Sequence, residues 1–511
     1  MAAKLKGKRV RIVYASAINY LAVFMKILVS FVYMYLLVSN LSLSEMGVWG
    51  LVISLSHMLS YPLFLWTYWS RRFSVRGVKE AFGSGFILTA FYSVLSIIVY
   101  VVIALLYVAY INVKIVDLVI GAPILFAMIF RGYLVKIAYV HEPEIRGYDN
   151  FLYDTLRITT AYILLEVFSL GYFGACLSFL ISNVGSLIFL FIYLKKREIV
   201  NLLFNSSLVR DWFKASYVPL MKILSSVTKE LGNNVIPLIT GSEIPLAYIS
   251  VARVPALTIT QLSQAGQLVG YAYALRERKA RYIGDFLSSY LIFSTFVLLV
   301  LLSFSDYISA FFGVEYKETY ILISIFSLAA YIRGINNVLN GLLTGSENVD
   351  EKGLSNYRKI IKSFLFKVPL INFLANVSLL VILPIALYPF RGNHLLEAET
   401  YAYTYLAFGF ILLAVFTYFS VKSISKRLMD YADLKGICIS SITMFSFYYI
   451  AKKLYDYETV ITSPRTVNSM IITALIAACG GLFYIISAYI FSPFFKKLIR
   501  KTLLKISTAL R

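Results

Sequence analysis

Long apolar runs broken by short polar ones pattern this chain from end to end. Fourteen such runs stand out: 12–39, 46–70, 81–107, 117–140, 154–170, 174–194, 217–240, 244–268, 284–310, 319–343, 367–390, 399–421, 434–451 and 467–491. A hydrocarbon layer about 30 Å thick is crossed by roughly 20 helical residues, and a spanning helix satisfies its own backbone hydrogen bonds where water cannot. The pattern predicts an all-α polytopic membrane protein with about 14 transmembrane helices. The connections expected at one face are short: Asn40 to Glu45, Tyr110 to Val116, Gly171 to Phe173, Gly241 to Glu243, Phe311 to Glu318 and Arg391 to Ala398. At the other face the longest are 195–216 and 344–366. In the latter, Ile360, Ile361, Phe364 and Leu365 among lysines suit an amphipathic helix lying on the membrane.

The runs repeat. Met25-Lys26-Ile27-Leu28 recurs as Met221-Lys222-Ile223-Leu224, 196 residues later. Phe130-Arg131-Gly132 is matched by Ile332-Arg333-Gly334 at 202, and Met46-Gly47-Val48 more weakly by Leu246-Ala247-Tyr248 at 200. A period that drifts by only a few residues is what a duplicated unit with altered loops leaves behind. The expected organisation is an N-lobe over 1–197 (helices 1–6), a pseudo-symmetric C-lobe over 198–430 (helices 7–12), and a further pair, helices 13–14, with a basic cytoplasmic tail over 431–511.

Composition agrees: 59% of residues are hydrophobic, 14% are charged, and the mean hydropathy is +0.77. One aqueous core cannot hide that much apolar surface. The net charge of +22 raises the question of nucleic acid. The basic residues instead cluster in alternate connections: Lys4 to Arg11, Arg71 to Lys79, Lys195 to Lys214, Arg276 to Arg281, Lys352 to Lys362, Lys422 to Lys435 and Lys496 to Arg511. That asymmetry is the positive-inside rule, so it sets topology and calls for no nucleic-acid partner. It implies a multi-pass protein of the cell membrane with both termini cytoplasmic. The basic N-terminal start leads into an apolar stretch too long for a signal-peptide core, which is expected to remain as helix 1. Cys176, Cys438 and Cys479 lie within or beside spans without metal-ligand spacing, which disfavours disulfides and zinc.

Cations inside the spans are the candidate chemistry. A Lys or Arg at a helix centre costs roughly 2.5–3.5 kcal/mol on insertion scales, so several together imply a hydrated or paired interior. At 100° per residue, Lys222 lies within about 20° of Lys229 and Asn233, with Ser226 near 40° and Glu230 at the edge of the stripe. The matching stripe on helix 1 is Asn19, Lys26, Ser30 and Tyr33. On helix 8, Arg253, Thr260, Gln264 and Gln267 share an arc with Gln261 beside them, and these are all three glutamines in the protein. Arg131 and Lys136 on helix 4, and Arg333 with Asn336, Asn337 and Asn340 on helix 10, complete a cationic, amide-rich set. For Lys136, Arg157 and Arg333 snorkelling to the headgroups is the competing reading. For Lys26, Lys222, Lys229 and Arg253, which sit deeper, a shared aqueous cavity is favoured. Glu230 appears as the only deep carboxylate, with Glu166 nearer the outside, so such a cavity is net positive and attracts an anion. Glu230 itself carries two readings, a structural partner for a buried lysine or a group that binds and releases a coupling ion.

Other features read as structural. Trp66, Tyr68 and Trp69 followed by Arg71 and Arg72 match an interfacial anchor, and His57 suits a packed role better than a proton relay. No Walker lysine loop and no histidine cluster occurs. A membrane glycosyltransferase or polymerase is disfavoured by the short external loops, where Asp456 and Glu458 are the best acidic pair and read as a solvated turn.

Three stretches carry a resemblance. Ser44-Glu45-Met46-Gly47-Val48-Trp49-Gly50-Leu51, with an acidic residue two places before a glycine, Leu246-Ala247-Tyr248-Ile249-Ser250-Val251-Ala252-Arg253, and Phe311-Phe312-Gly313-Val314-Glu315-Tyr316 resemble, in order and spacing, turns of the Wzx-like oligosaccharide flippases. These are polysaccharide biosynthesis proteins of the multidrug/oligosaccharidyl-lipid/polysaccharide (MOP) exporter superfamily. The resemblance implies two six-helix lobes around a central cavity, and transport rather than an enzymatic reaction. The cargo it implies is a polyprenyl-(pyro)phosphate-linked oligosaccharide moved by alternating access for cell-surface glycan assembly. Cationic residues would hold the phosphate, and the candidates are Lys26, Arg131, Lys222, Lys229, Arg253, Gln261, Gln264 and Arg333, with Glu230 for coupling. No cofactor is implied, and the coupling ion, H+ or Na+, is open. The implied partners are the lipid-linked substrate, membrane lipids and glycan-assembly glycosyltransferases. The alternative is a MATE-like exporter of small amphiphilic compounds.

Overall fold

The computed structural model describes residues 12–345, 361–423, 433–454, 462, 464 and 466–500, apart from positions 76, 112, 143, 215, 277–279 and 498. The described residues are helical throughout, and no strand occurs among them. The helices are α1 (Ile12–Asn40), α2 (Leu43–Ser60), α3 (Phe64–Val75), α4 (Glu80–Ile111), α5 (Ile115–Val119), α6 (Gly121–His141), α7 (Ile145–Ala161), α8 (Gly171–Lys196) and α9 (Ser206–Lys214). There follow α10 (Tyr217–Thr240), α11 (Ile244–Arg276), α12 (Ala280–Ser303), α13 (Ser305–Phe312), α14 (Tyr320–Gly345), α15 (Phe364–Leu387), α16 (His394–Ser423), α17 (Leu434–Leu454) and α18 (Val467–Phe491). Each of the fourteen apolar runs falls on one of these helices or on a broken pair of them. Among the described residues nine helical stretches are long and apolar enough to cross a membrane, and the bent pair Tyr290–Ser303 and Ser305–Phe312, which turns by 62°, makes a tenth. The expected spans on α1, α7, α10 and α11 are not in that set; on α1 the described apolar stretch is Met25–Asn40.

Local sequence sets the helix ends. Ser42 caps α2: its hydroxyl accepts from the Glu45 amide, and the Glu45 carboxylate accepts from the Ser42 amide in return. Pro62 sits in the tight turn Tyr61–Leu63 between α2 and α3, where a missing amide proton is tolerated. Gly241 ends α10 with φ of 77°, a left-handed cap that glycine adopts without side-chain strain. The helix of the fifth span starts at Ile145 rather than 154 and runs on through π-type turns over Tyr162–Val167.

The chain divides into two compact units. The first comprises residues up to Ser250 with Pro369–Glu397, and the second Val251–Val368 with Ala398 onward. In the first unit the start of α11 lies tight against α2: a Cβ on Gly47 would collide with the backbone carbonyl of Glu243, and the hydroxyl of Ser44 donates to the Glu243 carboxylate. Tyr107 of α4 donates to the carbonyl of Asn234 at 2.5 Å, tying α10 to the same body. In the second unit α17 and α18 pack on one another, and Tyr484 of α18 donates to the carbonyl of Ile292 on α12 at 2.8 Å.

One expectation is corrected here. Trp66 and Trp69 are not headgroup anchors, for both are buried, and the Trp66 indole donates to Thr89 on α4 at 3.0 Å. Only Tyr68, half-buried beside Arg71 and Arg72, keeps an anchor's surroundings. The 346–360 part of the 344–366 connection, the Asp456 and Glu458 turn, residues 277–279 of the Arg276 to Arg281 cluster, residues 424–432 of the Lys422 to Lys435 cluster, and the terminal basic clusters Lys4 to Arg11 and 501–511 lie outside the described residues.

Candidate functional site

In the first unit, basic side chains from three helices meet at one ring. Phe64 opens α3. The ammonium nitrogens of Lys136 on α6 and Lys222 on α10 each lie 5.1 Å from its centroid. The Arg71 guanidinium lies 5.7 Å from the same ring and 5.4 Å from that of Tyr68. A ring face attracts a cation electrostatically, by about 0.5–2 kcal/mol according to how dry the site is. Lys222 and Lys229 are both exposed, as the helical projection places them on one stripe, and the Ser226 hydroxyl between them donates to the Lys222 carbonyl at 3.0 Å.

Glu230 takes neither lysine as a partner. It accepts from the Tyr61 hydroxyl at 3.3 Å and from the Asn233 amide at 2.9 Å, and among the described residues it forms no ion pair. The structural-partner reading of this carboxylate thus gives way to one in which neutral donors hold it.

The first unit also contains two deep carboxylates that the sequence reading missed. Asp149 and Asp154 are buried on α7, the first fully. Asp149 pairs with Arg131 at 2.9 Å and accepts from Ser186, whose oxygen in turn accepts from Arg131 Nε at 2.6 Å. Tyr153 covers the Arg131 guanidinium at 3.9 Å. Asp154 pairs with Arg157 at 3.3 Å, and Arg157 also lies over Tyr33 at 4.7 Å. Lys26, half-buried on α1, has Asp154, Arg157 and Arg131 as its electrostatic neighbours. Placing residues 145–153 in a connection hid Asp149. The signal that would have found them is spacing: Asp149, Tyr153 and Arg157 recur every four residues along one helical face, and Asp154 stands three before Arg157.

The second unit holds its cations differently. Arg253 on α11 donates to the Tyr401 hydroxyl at 2.8 Å and lies 4.9 Å from the Phe326 ring, 5.2 Å from Tyr401 and 5.5 Å from Tyr405. Arg333 on α14 stacks on Tyr405 at 3.5 Å, and its buried Nε has no hydrogen-bond partner among the described residues. The repeated Arg-Gly pairs have therefore diverged: Arg131 is matched by a carboxylate, Arg333 by a ring. Asn336 donates to the Gly409 carbonyl at 3.1 Å and Asn337 to Ser263 at 3.3 Å, while the buried amide oxygens of Asn336 and Asn340 accept from nothing described. Gln261 is half-buried; the side chains of Gln264 and Gln267 lie outside the described residues. Lys136, Arg157 and Arg333, for which snorkelling was an open reading, all make contacts within their own unit.

No family model and no curated protein matches the sequence. Solved structures do match in shape. Lipid II flippase MurJ, in an inward closed conformation, covers 95% of this chain and 100% of its own, with a TM-score of 0.66 and 14% identity. An inward-facing multidrug resistance MATE family transporter of the MOP superfamily covers 79% of this chain and 95% of its own, with a TM-score of 0.59 and 16% identity. A MOP superfamily transporter from Pyrococcus furiosus, described by the reverse polarity of its binding pocket, covers 81% and 96%, with a TM-score of 0.54 and 15% identity. The chain has the MOP transporter fold. That fold accounts for the all-helical architecture, and the MurJ match extends over nearly the whole of this chain.

Proposed function

We propose that this protein is a flippase that moves a polyprenyl-(pyro)phosphate-linked oligosaccharide across the cytoplasmic membrane by alternating access. The observation that carries the reading is the charge of its polar positions. Lys222 in the first unit lies on α10, an expected span, and Arg333 in the second on α14, and among the described residues neither forms an ion pair. Each instead rests on an aromatic ring, which holds a cation without neutralising it. Cations kept in apolar helices at such cost suit an anionic cargo. The fold supports transport, since the similar structures are described as a lipid II flippase and MATE transporters. A phosphate or pyrophosphate is the anionic part, half-buried amides such as Gln261 and Asn337 suit sugar hydroxyls, and the polyprenyl tail stays in lipid. An exporter of small cationic amphiphiles would need the opposite charge.

This reading includes a cell-membrane location with both termini cytoplasmic, a coupling ion that is H+ or Na+, and glycan-assembly glycosyltransferases as functional partners. The test is translocation of a lipid-linked oligosaccharide in reconstituted liposomes. Lys222→Ala and Arg253→Ala should each lower transport at unchanged protein level, and Lys222→Arg should retain more activity than Lys222→Ala. Full flipping by the triple variant Lys26→Ala, Lys222→Ala, Arg253→Ala would reject the cationic-site reading.

A further inference from the structure

The cluster at Phe64 differs from the ion-paired arginines of the first unit. Arg131 has Asp149, Arg157 has Asp154 and Arg197 has Glu142. Arg71, Lys136 and Lys222 form no ion pair among the described residues, and the charges that act on the two lysines are basic: Arg71 and Lys222 on Lys136, Arg71 on Lys222. Two ammonium groups that each lie 5.1 Å from one centroid are within about 10 Å of each other, so they repel across the apolar ring. Snorkelling side chains fan outward to separate headgroups. These three, from α3, α6 and α10, converge.

All three stand near an end of their helices, and for Arg71 and Lys222 that end joins a basic connection. Arg71 is four residues before Val75, Lys136 five before His141 and Lys222 five after Tyr217. Lys222 is exposed and the other two are half-buried, so the cluster is open to a ligand. A guanidinium offers a planar fork that matches two phosphate oxygens, and each lysine adds a mobile point charge with three donors. Phe64 supplies an apolar floor beside them, which suits the first carbons of a lipid chain.

From this geometry we propose that Arg71, Lys136 and Lys222, arranged around Phe64, form a phosphate-binding site that takes the phosphate or pyrophosphate of a lipid at the basic end of the first unit. The assignment adds Arg71 and Lys136 to the recognition of substrate, and it rests on the flippase reading only in taking a polyprenyl carrier as the source of the phosphate. A bulk anionic lipid offers the same chemistry.

The test is binding of geranylgeranyl pyrophosphate to the purified full-length protein in neutral detergent, with geranylgeraniol as the uncharged control. The double variant Arg71→Gln, Lys136→Gln should bind about tenfold or more weakly. Arg71→Lys, Lys136→Arg should stay within about threefold of the parent, because it keeps the charges. Binding should weaken as salt is raised. If the double glutamine variant does not fold, Lys136→Met alone, checked by its melting profile, is measured instead. Unchanged pyrophosphate affinity in a folded glutamine or methionine variant overturns the proposal, as does equal binding of geranylgeraniol. Competition with phosphatidylglycerol vesicles tells the sources apart: displacement assigns the site to bulk lipid and resistance to the polyprenyl carrier, and either result upholds a phosphate site. Translocation assays separate the two readings. Pyrophosphate binding that depends on the cluster in a protein that flips no oligosaccharide would sink the flippase reading alone, and flipping with cluster-independent binding would sink this one alone.

Discussion

Asp149→Leu should be among the most damaging single changes to the first unit. The carboxylate is fully buried and takes both the Arg131 guanidinium, at 2.9 Å, and the Ser186 hydroxyl. The Arg131 side chain is only 18% exposed, so once Asp149 is gone its charge has neither a counter-charge nor much water. Removing one partner of a buried pair costs about 3–5 kcal/mol, whereas replacing both by apolar groups of similar volume is often neutral. Leucine adds the loss of the Ser186 bond, about 1 kcal/mol. In a detergent-solubilised thermal melt this corresponds to a fall of about 5–10 °C for Asp149→Leu, with most of it recovered in Arg131→Met, Asp149→Leu. The Tyr153 ring over the guanidinium softens the effect without supplying an anion. A single variant that melts with the parent protein, or a double variant no more stable than the single, would refute the view that Arg131 is held as half of a buried pair.

Glu230→Gln keeps the bonds to Tyr61 and Asn233 within reach but cannot ionise. If Glu230 couples transport to an ion, this variant should lose its response to an imposed proton or sodium gradient in liposomes while still binding substrate, and an undiminished response removes it from that role. Topology is checked with single cysteines in a cysteine-free background: Asn393→Cys should react with an impermeant reagent on intact cells and Ser206→Cys should not, both sites being exposed. The reverse pattern would invert the charge-based orientation.

The helices were legible from the sequence because their physics is local. A run of about 20 apolar residues with internally satisfied backbone can only be a spanning helix, and the Ser42–Glu45 capping box and Gly241 mark ends through contacts a few residues long. The identity of the cations within these helices was legible for the same reason. What each cation is for was not, because that depends on residues far away in sequence. Lys222 and Lys136 meet only because α6 and α10 both pass Phe64, and nothing in the order Phe64, Arg71, Lys136, Lys222 announces a shared ring. Arg131 and Arg333 occupy equivalent repeat positions, yet the first is neutralised by Asp149 from α7 and the second lies on Tyr405 from α16. Trp66 and Trp69 have the composition of an anchor and the burial of a core, and α4 meets Trp66 through Thr89 and Tyr92. Sequence alone determined which cations the apolar helices carry; tertiary packing decided which of them meet a buried carboxylate and which are left to attract an anion, because electrostatic energy depends on distances between helices that no local pattern encodes.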